Sequence, residues 1–264
     1  GQITTIFGAT GVGKSTYALN LVNRQINKHI PSLYISLEMD TISTMDRLIA
    51  IRQGVPVSLF YPNEEDDIPE EAFQFFREES DKLSKSKRFY FIEDPTISMA
   101  DLEFLIQEAK RKMGVPYLIC TVDLLTMISD IGGNPSEIEE SMNRVHRIAK
   151  RNNVHIVGVL QANRSADSHS VPSIDQIDRL RPTLNNVKNS HAFAERSRIL
   201  LSVFRPYYYA RRYFPDAPEL ETMEDVLEIG ILKQSQGQTG YILKYLYDGE
   251  KFSIYPFLNN EEEI

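Results

Sequence analysis

The sequence predicts an α/β fold, a mostly parallel twisted sheet flanked by helices, with antiparallel strands at its C-terminal end. Three observations carry the prediction. Short apolar, β-branched runs alternate with segments of helical periodicity along most of the chain; the glycine-rich segment GATGVGKS stands between the first such run and the first helical pattern; and from Val226 onward the signals read strand, turn, strand.

Taken in order, Ile3 to Phe7 is the first strand, and Ala18, Leu19, Val22 and Ile26 recur at helical spacing behind the glycine-rich turn. Leu33 to Leu37 reads as a second buried strand, with Met45, Leu48, Ile49 and Arg52 on the helix after it. Residues 54 to 87, with prolines, an acidic stretch and the helical-looking Glu70 to Leu83, form a helical excursion from the main pattern. Arg88 to Ile92 is the next strand. Ser98 then caps a helix faced by Leu102, Leu105, Ile106 and Ala109, because a serine hydroxyl accepts from the unpaired N–H groups of a first turn. Tyr117 to Asp123 is a strand, Glu137 to Asn152 a helix and Val154 to Leu160 another strand.

The polar, proline-punctuated stretch from Gln161 to Thr183 reads as a long loop rather than core. After Ile199 to Phe204 comes an aromatic and basic insertion, RPYYYARRYFPDAPELE, whose tyrosines are expected to pack. Val226 to Lys233, Tyr241 to Tyr247 and Phe252 to Tyr255 are antiparallel strands, the last two joined at the hairpin signal Asp248-Gly249. One domain over residues 1–257 and an acidic, flexible tail over 258–264 follow from this pattern.

Composition narrows the function classes. With 264 residues, 42% hydrophobic and 25% charged, the chain can bury a large core. No run reaches the roughly 18 apolar residues of a membrane-spanning helix, and no basic segment precedes an apolar one at the start. Cys120, the single cysteine, lies in an apolar run, which excludes an internal disulfide and a cysteine-rich zinc site and predicts a buried, inert thiol. The five histidines show no metal-ligand spacing. A reducing, cytoplasmic compartment fits these features. A net charge of −8 excludes a broadly basic surface that coats nucleic acid, while leaving room for a few basic loops. The acidic runs Glu64 to Glu79 and Glu261 to Glu263 read as solvated surface.

GATGVGKS is a full match to the phosphate-loop pattern G-x-x-x-x-G-K-[ST] in its proper strand–turn–helix setting. Gly8, Ala9, Thr10, Gly11, Val12 and Gly13 form the loop, whose backbone N–H groups can converge on phosphates. Lys14, Ser15 and Thr16 open the helix, whose N-terminal dipole adds to the attraction. Lys14 is expected to reach the β- and γ-phosphates of ATP, and Ser15 to ligate Mg²⁺. Asp123 ends the apolar strand LICTVD, where a carboxylate can hold Mg²⁺ through water. Glu38, in SLEMD, ends the second strand; if that strand neighbours the first, its carboxylate can polarise water for attack on the γ-phosphate.

The order of SLEM, a strand ending in VDLL, and VLQANR resembles the C-terminal RecA-like ATPase domain of DnaB-type hexameric replicative helicases, phage-encoded ones included. The resemblance covers most of the chain, extending to RPTLNNVKNSHAF, similar to the family's DNA-binding loop, and LKQSQGQTG, similar to its Lys-x-Arg finger segment. It implies a RecA-like fold, a homo-hexameric ring, and ATP-driven movement along single-stranded DNA that unwinds duplex. By motif it implies Glu38 as catalytic base, Asp123 as the Mg²⁺ carboxylate, Gln161 as the γ-phosphate sensor and Lys233 as the finger. Lys188, Asn189 and His191, with Arg164 of VLQANR, are the DNA-contacting candidates it implies. A bacterial cytosol or a phage-infected cell is the setting. The first strand begins almost at residue 1, so a preceding N-terminal domain is expected, and through it primase and a helicase loader.

Two departures stand out. Lys188 and His191 replace an arginine and a glycine of the family's loop, and Ser235 stands where the finger arginine belongs. A trans arginine can supply roughly 10³–10⁵ in rate, so Lys233 alone, Arg211 or Arg212 must serve, or turnover is slow. Ser235 and the net negative charge also motivate a second reading, a RecA-like nucleotide switch or assembly factor without helicase activity, and a filament-forming recombinase-like ATPase is a third.

Overall fold

β1 (Gln2–Gly8) runs into the glycine-rich turn and α1 (Lys14–Asn27), and β2 (Ser32–Ser36) into α2 (Thr41–Gln53). α3 (Glu70–Ser86) precedes β3 (Phe89–Glu93), and α4 (Met99–Met113) leads to β4 (Leu118–Asp123). α5 (Pro135–Arg151) and β5 (Val154–Gln161) follow, then α6 (His191–Arg196), β6 (Ile199–Phe204), α7 (Pro206–Tyr213) and α8 (Leu220–Met223). β7 (Val226–Gln234), β8 (Ile242–Asp248) and β9 (Ser253–Pro256) complete the chain. This computed structural model describes residues 1–61, 69–161, 171–184, 191–223 and 225–257, with the backbone alone at His191.

The strands form one sheet in the order β3-β2-β4-β5-β1-β6-β7-β8-β9. β3 through β6 in that order are parallel, and β6, β7, β8 and β9 pair antiparallel. Helices cover both faces, which is why the central strands are buried almost end to end instead of alternating. On one face Leu33, Ile35, Cys120 and Val122 meet Leu102 and Ile106 of α4 and Met142 and Val145 of α5. On the other, Tyr34 and Val159 pack under Ala18, Leu19 and Val22 of α1 and Leu48 of α2. Each fully buried leucine or isoleucine in these layers contributes roughly 1.5–3 kcal/mol. Cys120 is buried, and burial pushes its thiol well above the usual range.

The helix starts follow the capping chemistry of the sequence. Ser98 and Asp101 form a reciprocal capping box on α4, and Asn134 and Glu137 another on α5, with Pro135 in its first turn.

Three expectations are corrected. The stretch up to Thr183 is not all loop outside the core: Val171, Ile177 and Leu180 are buried against Tyr209 and Ala210 of α7. Ile174, Ile177 and Leu180 recur every three residues, and Ile174–Leu180 forms a 3₁₀ turn, the helix whose side chains align at that spacing. The acidic run ending at Glu79 is not all solvated surface, since the Glu79 side chain is buried and held by Arg52, Lys82 and Gln53. Glu38 also reaches its place by a different route: β4 and β5 lie between β1 and β2, so the first two strands are not neighbours.

The insertion after β6 packs, as its tyrosines suggest. Tyr209 is buried and its ring stacks on Phe204 at 5.1 Å, while Tyr208 approaches Gly11 of the phosphate loop. Residues 258–264, expected as a flexible tail, lie outside the described residues. Among the described residues no helix is long and apolar enough to cross a membrane, and no cluster of His, Cys, Asp and Glu could hold a metal by itself.

Candidate nucleotide-binding site

The phosphate loop leaves β1 at the carboxyl edge of the parallel strands. Gly8 is forced by packing: a Cβ there would stand 2.7 Å from the Val203 carbonyl oxygen and 3.0 Å from Val12 Cγ2. Gly11 and Gly13 take left-handed φ values of +81° and +99°, which favour glycine. Val12 is buried in the core under α7 with Ala9 packed against it, and this anchors the loop from below. Gly13 caps α1 with no side-chain hydrogen bond, so the first N–H groups of the helix stay available to an anion.

Lys14 is buried, and its ammonium donates to the Ala9 carbonyl at 2.7 Å, across the mouth of the loop. Burial lowers its pKa, while the charges of Asp123 and Glu38 raise it and so favour the ammonium. Thr16 is buried and Ser15 half-buried, with its hydroxyl beside Asp123.

Glu38 enters by way of β4. Ser36 pairs in register with Asp123, and Leu37 N–H donates to the Asp123 carbonyl at 2.7 Å. The Ser36 hydroxyl then closes a tight turn, donating to the Met39 carbonyl at 2.6 Å, and Asp40 caps α2 through Ser43 N–H at 2.8 Å. The turn leaves Glu38 exposed on a cleft of about 340 Å³ that it shares with Lys14, Ser15 and Gln161. Gln161, at the end of β5, pairs with Gly8, and its amide donates to the Thr10 hydroxyl at 2.5 Å.

Asp123 is 3% exposed. Burial raises its carboxyl pKa, opposed by the Tyr34 hydrogen bond, the Ser15 hydroxyl and the charges of Lys14 and Arg47. Tyr34 donates to Oδ2 at 2.7 Å, while Oδ1 is buried without a hydrogen-bond partner among the described residues. An orphaned carboxylate oxygen beside a serine hydroxyl fits a hydrated divalent cation, which supplies the missing partner.

Sequence reading did not find Tyr34, Arg47, Tyr247 or Phe252. Arg47 lines the cleft with its guanidinium 4.7 Å from the Phe252 ring centre and a contact to Met39 Sδ at 3.3 Å. It sits one position before the apolar pair Leu48 and Ile49, and nothing in helical periodicity marks it. Tyr34 carried a signal: a hydroxyl inside a wholly buried strand needs a partner. Tyr247 and Phe252 reach the cleft only because the β8–β9 end folds back beside α1, where Asn20 bonds the Phe252 carbonyl.

Lys233 is not in the cleft. It pairs with Leu200 at the opposite end of the strands, and its ammonium donates to the Ala194 and Glu195 carbonyls at 2.6 and 2.8 Å. Ser235 bonds the Arg198 carbonyl. Arg211 lies by the Tyr207 ring and Arg212 by that of Tyr213. Arg164, Lys188 and Asn189 lie outside the described residues, as does the His191 side chain.

A phosphate loop at the carboxyl edge of a parallel sheet, faced by carboxylates from two further strands, defines a RecA-like P-loop nucleotide-binding domain. The chain belongs to the DnaB-like helicase C terminal domain family, whose model matches residues 1–253. The resemblance read from SLEM, VDLL and VLQANR is thereby borne out. Over 94% of this chain it is 24% identical to the replicative DNA helicase DnaB of Rickettsia typhi, covering 52% of that protein. It is 25% identical over 94% of its length to that of Buchnera aphidicola subsp. Baizongia pistaciae, covering 50%. The chain thus spans about half the length of the curated relatives it matches.

Two solved structures share the fold. One, solved as an isolated ATPase domain, superposes with a TM-score of 0.81 over 97% of this chain and 85% of that one, at 16% identity. A DnaB-like replicative helicase, solved in a study of its interactions with primase, gives 0.80 over 96% and 58%, also at 16% identity.

Proposed function

We propose that this domain binds ATP with Mg²⁺ and hydrolyses it to drive movement along single-stranded DNA, as the motor of a ring-shaped, homo-hexameric replicative helicase. The observation that supports it best is the convergence of Lys14, Ser15, Glu38 and Gln161 on one cleft, with Asp123 sealed beneath. Ser15 and Oδ1 of Asp123 are the groups that would hold Mg²⁺, which when bound offsets charge on the phosphate oxygens. Lys14 and the N–H groups of residues 8–16 bind the phosphates. Glu38 takes a proton from water as its oxygen attacks the γ-phosphorus; the bond to the β–γ bridging oxygen breaks, leaving ADP and phosphate.

Gln161 is the coupling residue in this reading. In it the amide, bonded to the Thr10 hydroxyl, exchanges that bond for one to the γ-phosphate and relays the loss of that phosphate along the chain. Lys188, Asn189 and His191 are the DNA-contacting candidates, holding the backbone of one strand by salt-sensitive contacts. Lys233 serves a neighbour's site, which requires it to leave the α6 carbonyls. Primase and a helicase loader are the further partners in this reading. The setting is a bacterial cytoplasm, or that of a phage-infected cell.

The test is ATP turnover with and without single-stranded DNA at low salt, for the wild type and Glu38→Gln. DNA stimulation is expected, with turnover lowered about 10²–10⁴-fold in Glu38→Gln and nucleotide binding kept. Turnover indifferent to DNA sinks the translocase reading. It would favour the second one, a nucleotide switch, which is supported by Ser235 and by the ammonium of Lys233 being engaged within its own chain.

A further inference from the structure

Tyr34 is 2% exposed, yet carries a hydroxyl that must be satisfied inside the sheet. Its register partner on β4 is Thr121, so Asp123, two residues on, is its diagonal neighbour on the same face. The hydroxyl donates to Asp123 Oδ2 at 2.7 Å. On its other side the ring stacks on Phe91, its register partner on β3, with centres 6.0 Å apart and planes 15° from parallel. Tyr34 is therefore held from both neighbouring strands, with its hydroxyl the donor to Asp123.

A carboxylate rotates about its Cβ–Cγ bond and has two equivalent oxygens, so one fixed hydrogen bond decides which oxygen is committed and where the other points. In Asp123 the committed oxygen is Oδ2, and Oδ1 is the buried oxygen without a partner among the described residues. We infer that Tyr34 is a positioning residue for the metal–nucleotide complex: its hydroxyl pins Oδ2 of Asp123 so that Oδ1 is the oxygen presented to hydrated Mg²⁺. The inference rests on the reading of the cleft as an Mg²⁺–ATP site. Hydrogen-bond partners of metal-holding carboxylates act in this way generally, orienting the group and setting metal affinity.

Tyr34→Phe deletes one oxygen and keeps the ring on Phe91. Binding of a fluorescent ADP analogue is titrated with Mg²⁺, and separately in EDTA, for wild type, Tyr34→Phe, Asp123→Asn and the double variant. The Mg²⁺ concentration for half-maximal enhancement of binding is expected to rise about tenfold in Tyr34→Phe, with affinity in EDTA unchanged. In the Asp123→Asn background, Tyr34→Phe is expected to add nothing, since the group it positions has gone. A Tyr34→Phe protein with wild-type Mg²⁺ dependence overturns the inference, as does an equal added shift in the Asp123→Asn background. Loss of binding in EDTA overturns it in favour of a structural role. An Asp123→Asn protein with unaltered Mg²⁺ dependence overturns the metal reading of Asp123 itself, and the role of Tyr34 with it.

Discussion

Asp123 shows how a site residue can cost the nucleotide-free protein stability. Its folded pKa is raised above the ordinary 3.8 chiefly by burial, so the folded state holds the proton more tightly than the unfolded state does. The penalty is absent below the ordinary value and grows as pH rises from there through the raised one. In the absence of nucleotide, Asp123→Asn is therefore expected to gain stability relative to wild type as pH rises above the ordinary carboxylate value, in denaturant unfolding measured at a series of pH values from there upward. A difference that does not change with pH counts against a strained carboxylate. Gly8 makes a second prediction at this scale. Its Cβ would press on the Val203 carbonyl, so Gly8→Ala should cost about 1–3 kcal/mol, read by chemical denaturation, and weaken nucleotide binding by shifting the loop.

Among the elements, α3 is tied to α2 by the Arg52–Glu79 pair, with Lys82 and Gln53 on the same carboxylate. Glu79 is buried but keeps Lys82 and Gln53, so Arg52→Ala should cost about 1.5–3 kcal/mol in unfolding experiments while leaving nucleotide affinity near wild type, because neither residue lines the cleft. The capping box of α4 is worth less: Ser98→Ala should cost about 1 kcal/mol, measured in the same way. The 3₁₀ turn Ile174–Leu180 is fastened by Arg181 to the buried Glu228 of β7, and three apolar side chains carry it into the core. Polar residues and prolines around those side chains hid them from a search for helix or strand periods.

Across the whole molecule, sheet order assembles the cleft. β1 ends in the phosphate loop, β5 beside it ends in Gln161, β4 in Asp123, and β2 beyond it turns out Glu38. A chain of net charge −8 must hold DNA locally if it holds it at all. Affinity for single-stranded DNA is thus expected to fall steeply with salt, and Lys188→Ala to reduce the slope of log affinity against log salt by about one. An unchanged slope removes Lys188 from the contact. Sedimentation with an ATP analogue tests the ring, with a species several times the 30.3 kDa chain expected and a persistent monomer counting against it.

By itself the sequence determined the phosphate loop, every strand and long helix to within a few residues, Asp123 and Gln161 at the ends of their strands, and Glu38 just past the end of its own. These are local properties: periodicity, glycine spacing, capping serines, polar residues closing apolar runs. Only the tertiary structure decided that two strands separate β1 from β2, that Tyr34 takes one oxygen of Asp123 and leaves the other without a hydrogen-bond partner among the described residues, that Arg47 and Phe252 wall the cleft, and that Lys233 lies at the far end of the sheet. The reason is physical: strand order and side-chain partners across strands are set by which apolar faces can be covered together, and no window of consecutive residues contains both partners.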